Sequence, residues 1–269
     1  MIEDYYKSVE EYYNDDSISY QDRLESNLIL NSMRDDFRKI TNKYIQTLDS
    51  FNNALEIGCG TGVDLEYFSG TYPDVFFLGI DISQGMLNIA TERLRNAKNV
   101  KLLKAKVEDI EKMDTKFDLI YTYFGALNTV EDLNRCAETI RDKTSENGIV
   151  VITVVNKYYL LGLLFNLLRG RFRKAFARVK DKWAGYSPTR KLNSHPYSYR
   201  QVKNAFKGMK LVYRKGYSIV APPWYSYGKT SIGLYRVLNS FDSILNYFPV
   251  LWSLGEYSLY VFKKHTIKV

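Results

Sequence analysis

Between residues 53 and 155, short apolar runs alternate with stretches whose hydrophobic residues return every three or four positions. The runs are "NALEI" (53–57), "VFFLGI" (75–80), "VKLLK" (100–104), "FDLIY" (117–121) and "IVVITVV" (149–155). Continuous apolar runs of this length, bounded by turn residues, suit strands buried on both faces of a parallel sheet. The stretches between them predict helices. A short one covers Asp64–Ser69, and Ser83 is placed to cap "QGMLNIATERLRNA". Thr129 and Asp132 resemble a capping pair for "VEDLNRCAETIRDK", in which Leu133, Ala137 and Ile140 share a face. Gly148 is expected to stop the chain before the fifth strand.

This alternation predicts an α/β fold, a doubly wound, Rossmann-like and mostly parallel seven-stranded sheet. Residues 1–50 read as a Tyr-rich N-terminal helical arm and 51–155 as the core. Residues 156–195 interrupt it with an apolar run, "RGRFRKAFARVKDK", and a loop holding Gly185, Pro188 and Pro196. The pattern resumes with "SYRQVKNAFKG" as a helix and 211–220 as a strand, breaks again over about 222–255, and ends on "EYSLYVFKK" as a strand. The expectation is one domain with two cap insertions, the second within 196–269. Insertions near the carboxyl edge of such a sheet would cover the ligand crevice.

Charge adds something the pattern does not carry. The net +8 is unevenly placed. Residues 1–155 hold 17 Lys/Arg and 27 Asp/Glu, a net of −10, whereas 156–215 hold 16 Lys/Arg against Asp181 alone, a net of +15. Something anionic is expected to approach the middle segment, a solvated basic face being the plainer alternative. The start, "MIEDYYK", lacks a secretory pattern. The longest apolar run, Tyr158–Leu168, is 11 residues, where a membrane span needs about 20. Cys59 and Cys136 form no metal spacing and suggest no disulfide framework, so a cytoplasmic location is the default expectation.

"LEIGCGTG" supplies the candidate chemistry. Its spacing, Gly58-x-Gly60-x-Gly62, is one residue shorter than the usual dinucleotide loop. Glu56 just before it would repel a pyrophosphate but attract an ammonium or sulfonium. A plain tight turn is the alternative for the glycines, and an ordinary helix N-terminal acid the alternative for Asp81. Yet Asp81 closes the second strand where a carboxylate can accept ribose hydroxyls, and Ile82 and Met86 follow as apolar neighbours for an adenine.

Together "LEIGCGTG", "GIDISQGMLNIA", "KFDLIYTYFGALNTVEDL" and "ENGIVVITV" resemble the class I S-adenosylmethionine-dependent methyltransferases, in particular their small-molecule branch with an added cap. The resemblance covers about 100 residues and speaks to the cofactor, not the substrate. It implies that Glu56, Gly58 and Gly60 hold the methionine part, Asp81 the ribose, and Ile82 and Met86 the adenine, with Cys59 a further cofactor-binding residue. The backbone around Tyr123 would face the sulfonium. The N-terminal arm folds over the cofactor in similar enzymes, so Tyr12 or Tyr13 would close on the methionine end and Arg34 would pair with its carboxylate. One position departs from the family: Lys106 stands where an Asp often accepts from the adenine amino group. Lysine cannot accept a hydrogen bond, which leaves the Val107 backbone, Glu108 or Asp109 for that task.

Methyl transfer from a sulfonium needs proximity, orientation and, for some acceptors, a base. His195 in "NSHPYSY" is the candidate base, histidine being the commonest general base, with a surface loop residue as the plainer reading; His265 in the tail is read as incidental. Tyr123 is a second catalytic candidate, and Asn128, Tyr197 and Trp224 are candidate substrate contacts. The apolar–basic join "YYLLGLLFNLLRGRFRKAFARVK" and the aromatic "PPWYSY" point to a bulky, anionic or amphiphilic small-molecule acceptor, methylated at O or N, and to peripheral membrane contact. Packing of the cap onto the core is the simpler account of those apolar residues. An RNA methyltransferase using the basic segment and a non-catalytic cofactor-binding module are the competing readings. Against the first, no "DPPY"- or "NPPY"-type motif follows the fourth strand.

Overall fold

The computed structural model describes residues 2–181, 192 and 194–264. Seven strands form one sheet in the order β3-β2-β1-β4-β5-β7-β6. Here β1 is Asn53–Ile57, β2 Phe76–Asp81, β3 Val100–Lys104, β4 Phe117–Thr122, β5 Thr144–Val155, β6 Met209–Tyr217 and β7 Tyr257–Lys264. The first five pair in parallel; β7 runs antiparallel between β5 and β6. The fold expected from the apolar runs is the fold observed. Chain order reverses direction between β1 and β4, so the crevice lies outside the carboxyl ends of those two strands.

Both faces of the sheet are covered. Ile29, Met33, Phe37 and Ile40, spaced three or four apart, turn one face of α2 (Leu28–Ile45) into the core that includes Ala54, Leu119 and Val151. On the other face Leu133, Ala137 and Ile140 of α5 (Leu133–Lys143) join Leu55, Ile120 and Val150. Three more helices flank the core: α3 (Val63–Thr71), α4 (Gln84–Arg93) and, further along the chain, the Tyr199–Ala205 helix.

Boundaries differ from the sequence expectation where polar residues do structural work. The fifth strand begins at Thr144, five residues early, and Gly148 lies inside it rather than stopping the helix. A Cβ there would sit 2.8 Å from the Ser145 carbonyl oxygen, and Asn147 beside it adopts φ 62°. The strand passes an irregularity that only a glycine accommodates. Asp132 alone caps α5, accepting the N–H groups of Asn134 and Arg135, while Thr129 belongs to the preceding turn. The sixth strand ends at Tyr217, not 220. Beyond it the Asp242 carboxylate takes the N–H groups of Ile219, Val220 and Ala221 and turns the chain away.

The N-terminal arm is two helices, α1 (Ile2–Ser26) and α2, divided at Asn27, whose side chain accepts the Leu30 N–H. After β5 come α6 (Leu160–Leu168) and α7 (Phe172–Ala175); among the described residues the next helix is α8 (Tyr199–Ala205), and α9 (Ile232–Leu245) lies between β6 and β7. Gly185, Pro188 and His265 lie outside the described residues. No helix among the described residues is long and apolar enough to cross a membrane.

Candidate active site

The loop after β1 is built on left-handed glycines: Gly58, Gly60 and Gly62 have φ of 69°, 53° and 77°. Its start is pinned to β2, because the N–H groups of Gly58 and Cys59 both donate to the Ile80 carbonyl, at 2.8 and 3.0 Å. A Cβ on Gly58 would lie 2.5 Å from the Ala126 Cβ, so the turn after β4 crosses directly over the loop. The loop is then tied to the end of β2: the Gly60 N–H donates to Asp81 Oδ2 at 2.8 Å. Asp81 Oδ1 accepts from the Ser83 N–H at 2.9 Å. Burial pushes the Asp81 carboxyl up while those N–H groups pull it down; the net direction is up. Each oxygen keeps a second lone pair for a ligand hydroxyl.

Helix α1 closes the crevice. Tyr6, Val9, Tyr13, Asp16, Tyr20 and Arg23 recur every three or four residues and line it along one helix face. Asn14 fastens the helix there, its Oδ1 accepting from Ser83 Oγ at 2.8 Å and the Gly85 N–H at 2.9 Å. Gly85 permits the approach, since a Cβ would meet the Asn14 carbonyl oxygen at 3.1 Å. Glu10 adds an ion pair to Lys104, and Tyr6 donates to Glu108 Oε1 at 2.6 Å.

The enclosed space is about 630 Å³, within the roughly 300–1,000 Å³ common for small-molecule sites. Gly58, Gly60, Asp81, Ile82, Met86 and Val107 line it, together with the aromatic residues Phe124, Trp224, Tyr225, Tyr227 and Tyr257. Phe124 has φ 50°, a left-handed conformation unusual for a bulky side chain, held where β4 opens into the site.

A methyltransferase-domain family model matches residues 48–207. An uncharacterized protein of Methanocaldococcus jannaschii is 30% identical over 222 residues, 80% of this chain and 81% of its own. The chain belongs to the methyltransferase-domain family. Its class is that of the class I S-adenosylmethionine-dependent enzymes. The demethylmenaquinone methyltransferase of Staphylococcus aureus is 29% identical over 141 residues, 48% of this methyltransferase and 56% of its own length, so the chain spans about half of that relative. The solved N-methyltransferase NodS of Bradyrhizobium japonicum, in complex with S-adenosylhomocysteine, is a likeness of fold: TM-score 0.57 at 14% identity, covering 97% of this chain and 98% of that one.

The structure gathers some of the sequence candidates on the cavity wall and leaves others behind it. Tyr13, Gly58, Gly60, Asp81, Ile82 and Met86 line it, as do Val107, Tyr123, Asn128 and Trp224. Glu56, Cys59, Arg34 and Glu108 do not. Glu56 is buried beneath the loop, accepting from the Tyr121 hydroxyl at 3.1 Å. Burial first, then the neighbouring Asp64 charge, raises its carboxyl well above the usual range. Arg34 is buried against Asp64 at 3.6 Å with its guanidinium over the ring of the lining residue Phe124 at 4.9 Å, and its buried Nε has no hydrogen-bond partner among the described residues. Glu108 is taken by Tyr6 and by Cys136 Sγ at 3.5 Å. Lys106 lines the wall, with its Nζ over the Tyr6 ring at 5.1 Å.

The catalytic candidates are placed less favourably. The His195 ring stacks on Tyr5 with centroids 6.2 Å apart and does not line the cavity. Its backbone is what engages the site: its N–H donates to the Asn128 carbonyl at 2.7 Å, and its carbonyl accepts from Asn128 Nδ2 at 2.6 Å. Asn128 also accepts the Val155 N–H at 2.9 Å, so it is a clamp between β5 and the segment before α8. The Tyr123 hydroxyl is engaged by Thr41 Oγ1 at 2.5 Å, and burial raises its pKa, so it offers the cavity its ring and backbone, not a base. Tyr197 is buried in the core behind the site. Sequence reasoning missed Asn14, Tyr20, Asp16 and Arg23. The seven-residue spacing of Tyr6, Tyr13 and Tyr20, two helical turns at a time, was the available signal.

Proposed function

We propose that this methyltransferase transfers the methyl group of S-adenosylmethionine to O or N of a small amphiphilic acceptor. The observation that carries it is the continuity of one cavity from the glycine loop and Asp81 to an aromatic wall. In this reading the cofactor's ribose lies on Asp81 and its adenine between Ile82, Met86 and Val107, with Lys106 and the Tyr6 ring beside it. The sulfonium points toward Tyr123 and Phe124. The chain's own residues then bind, orient and exclude water; the sulfonium supplies an activated carbon for in-line displacement. The aromatic wall accepts a flat or apolar body and, through ring faces, an ammonium.

The acceptor arrives as its own nucleophile. Among the described lining residues no histidine stands in the cavity, and burial raises the pKa of Tyr13 and Tyr20, so these phenols donate rather than accept protons. Transfer of labelled methyl from S-adenosylmethionine to a panel of hydrophobic phenols, quinols and amines tests the reading. Turnover restricted to polar acceptors without an apolar body would overturn it.

A further inference from the structure

The cap after β5 carries an apolar surface that the protein leaves uncovered. None of the nine residues of α6, "LLGLLFNLL", is buried. Leu164, Phe165 and Leu168 are exposed at 47%, 49% and 89%, and Phe172, Phe176 and Val179 continue the exposed series at helical spacing. These residues stand among cations: residues 156–181 hold seven Lys/Arg against Asp181 alone. Lys157 neutralises that Asp at 2.8 Å. Among the described residues no carboxylate pairs with Arg169, Arg171, Arg173, Lys174 or Lys180. The Arg169 guanidinium sits 3.9 Å from the Phe165 ring centroid, a basic head laid over an apolar body.

The cap is also latched to the cavity wall. Arg178, just past α7, donates to Glu256 at 2.7 Å, and the Glu256 side chain is fully buried. The Tyr225 hydroxyl, from the aromatic wall, donates to the other Glu256 oxygen at 3.4 Å. A buried carboxylate between the two thus ties the cap to a residue of the cavity wall.

We propose that α6 and the basic stretch following it seat the enzyme on an anionic phospholipid bilayer. Exposed Leu and Phe enter the headgroup–acyl boundary while the interleaved cations meet lipid phosphates, the combination an interfacial segment needs. A second copy of the chain is a poor match, because a twofold contact would set this cationic face against itself. A phosphate grip for RNA would not need the uncovered leucines. Resting on the methyltransferase reading above, the acceptor then belongs to the amphiphiles that reside in such a bilayer.

The experiment is co-sedimentation with vesicles of phosphatidylcholine alone and of phosphatidylcholine mixed with phosphatidylglycerol. The protein binds the mixed vesicles, not the neutral ones, and added salt releases it. Arg171→Ala with Arg173→Ala lowers partitioning roughly 30-fold, at about 1 kcal/mol per cation. Phe172→Ser lowers it without altering charge. Both variants keep the wild-type response to S-adenosylhomocysteine in calorimetry, so a fault in the surface and a fault in the cofactor reading show up in different assays. Absence of binding to the mixed vesicles, or undiminished binding by the doubly neutralised variant, overturns the proposal. So does preferential capture of random-sequence RNA over mixed vesicles, or a solution dimer that Phe172→Ser dissolves.

Discussion

The Gly60 N–H lies 2.8 Å from Asp81 Oδ2, joining the loop after β1 to the end of β2 across 21 residues of sequence. One carboxylate thus sets the loop's shape and, in the proposed pose, holds the ribose. Asp81→Ala removes both functions. The expected result is a loss of S-adenosylhomocysteine affinity of roughly 10- to 100-fold, the scale of hydrogen bonds to a charged group. Calorimetry reads the affinity, and circular dichroism shows the fold retained.

Two glycines of the same loop separate strain from collision. Both have left-handed φ, which costs an alanine about 1–2 kcal/mol. A Cβ on Gly60 finds nothing nearer than Tyr20 at 3.9 Å, whereas one on Gly58 meets Ala126 at 2.5 Å. Gly58→Ala therefore carries an overpacking cost of about 1–3 kcal/mol in addition. Urea denaturation should rank wild type, Gly60→Ala and Gly58→Ala in that order; equal midpoints for the two variants would contradict the crossing of the β4 turn over the loop.

Glu56 gives the stability a pH dependence of definite sign. Its folded pKa is raised above the unfolded value of about 4.3. Its contribution is fully present below that unfolded value and is lost as pH rises through the folded pKa. Glu56→Gln stays neutral throughout. Thermal melts from mildly acidic to alkaline pH should show the variant gaining on the wild type as pH rises. A variant that loses ground to the wild type as pH rises would reverse the assignment.

His195→Asn leaves the rate and its pH profile essentially unchanged. A general base would contribute on the order of 10²–10⁴-fold, but this ring stacks on Tyr5 outside the cavity while the backbone does the clamping. Steady-state kinetics on an acceptor found in the panel check it, and a loss of that size would restore the base.

What the sequence made legible follows from periodicity. Strands such as Asn53–Ile57 and Phe76–Asp81 stood out because burial on both faces makes them mostly apolar, whereas the edge strand Val100–Lys104 keeps its lysines exposed; Ser83 capped its helix where a side-chain oxygen before an apolar period belongs. Asp81 and Met86 were readable because a glycine loop and a strand-end acid are constrained in sequence. Long-range polar contacts were not. Nothing local in Asn14 announces that it will bridge Ser83 and Gly85, some 70 residues on. That Glu56 and Arg34 both lie buried near Asp64 was equally invisible, because that cluster is set by tertiary packing of α2 on α3. His195 was read as the candidate base; its backbone bonds to Asn128 of the cavity wall, while its ring stacks on Tyr5.

The most direct measurement is an isothermal titration of the purified protein with S-adenosylhomocysteine. One molecule bound per chain, with heat that Asp81→Ala largely removes, is the expected result. No binding by the wild type, or the same affinity in the Asp81→Ala variant, would contradict the assignment of this cavity to the cofactor.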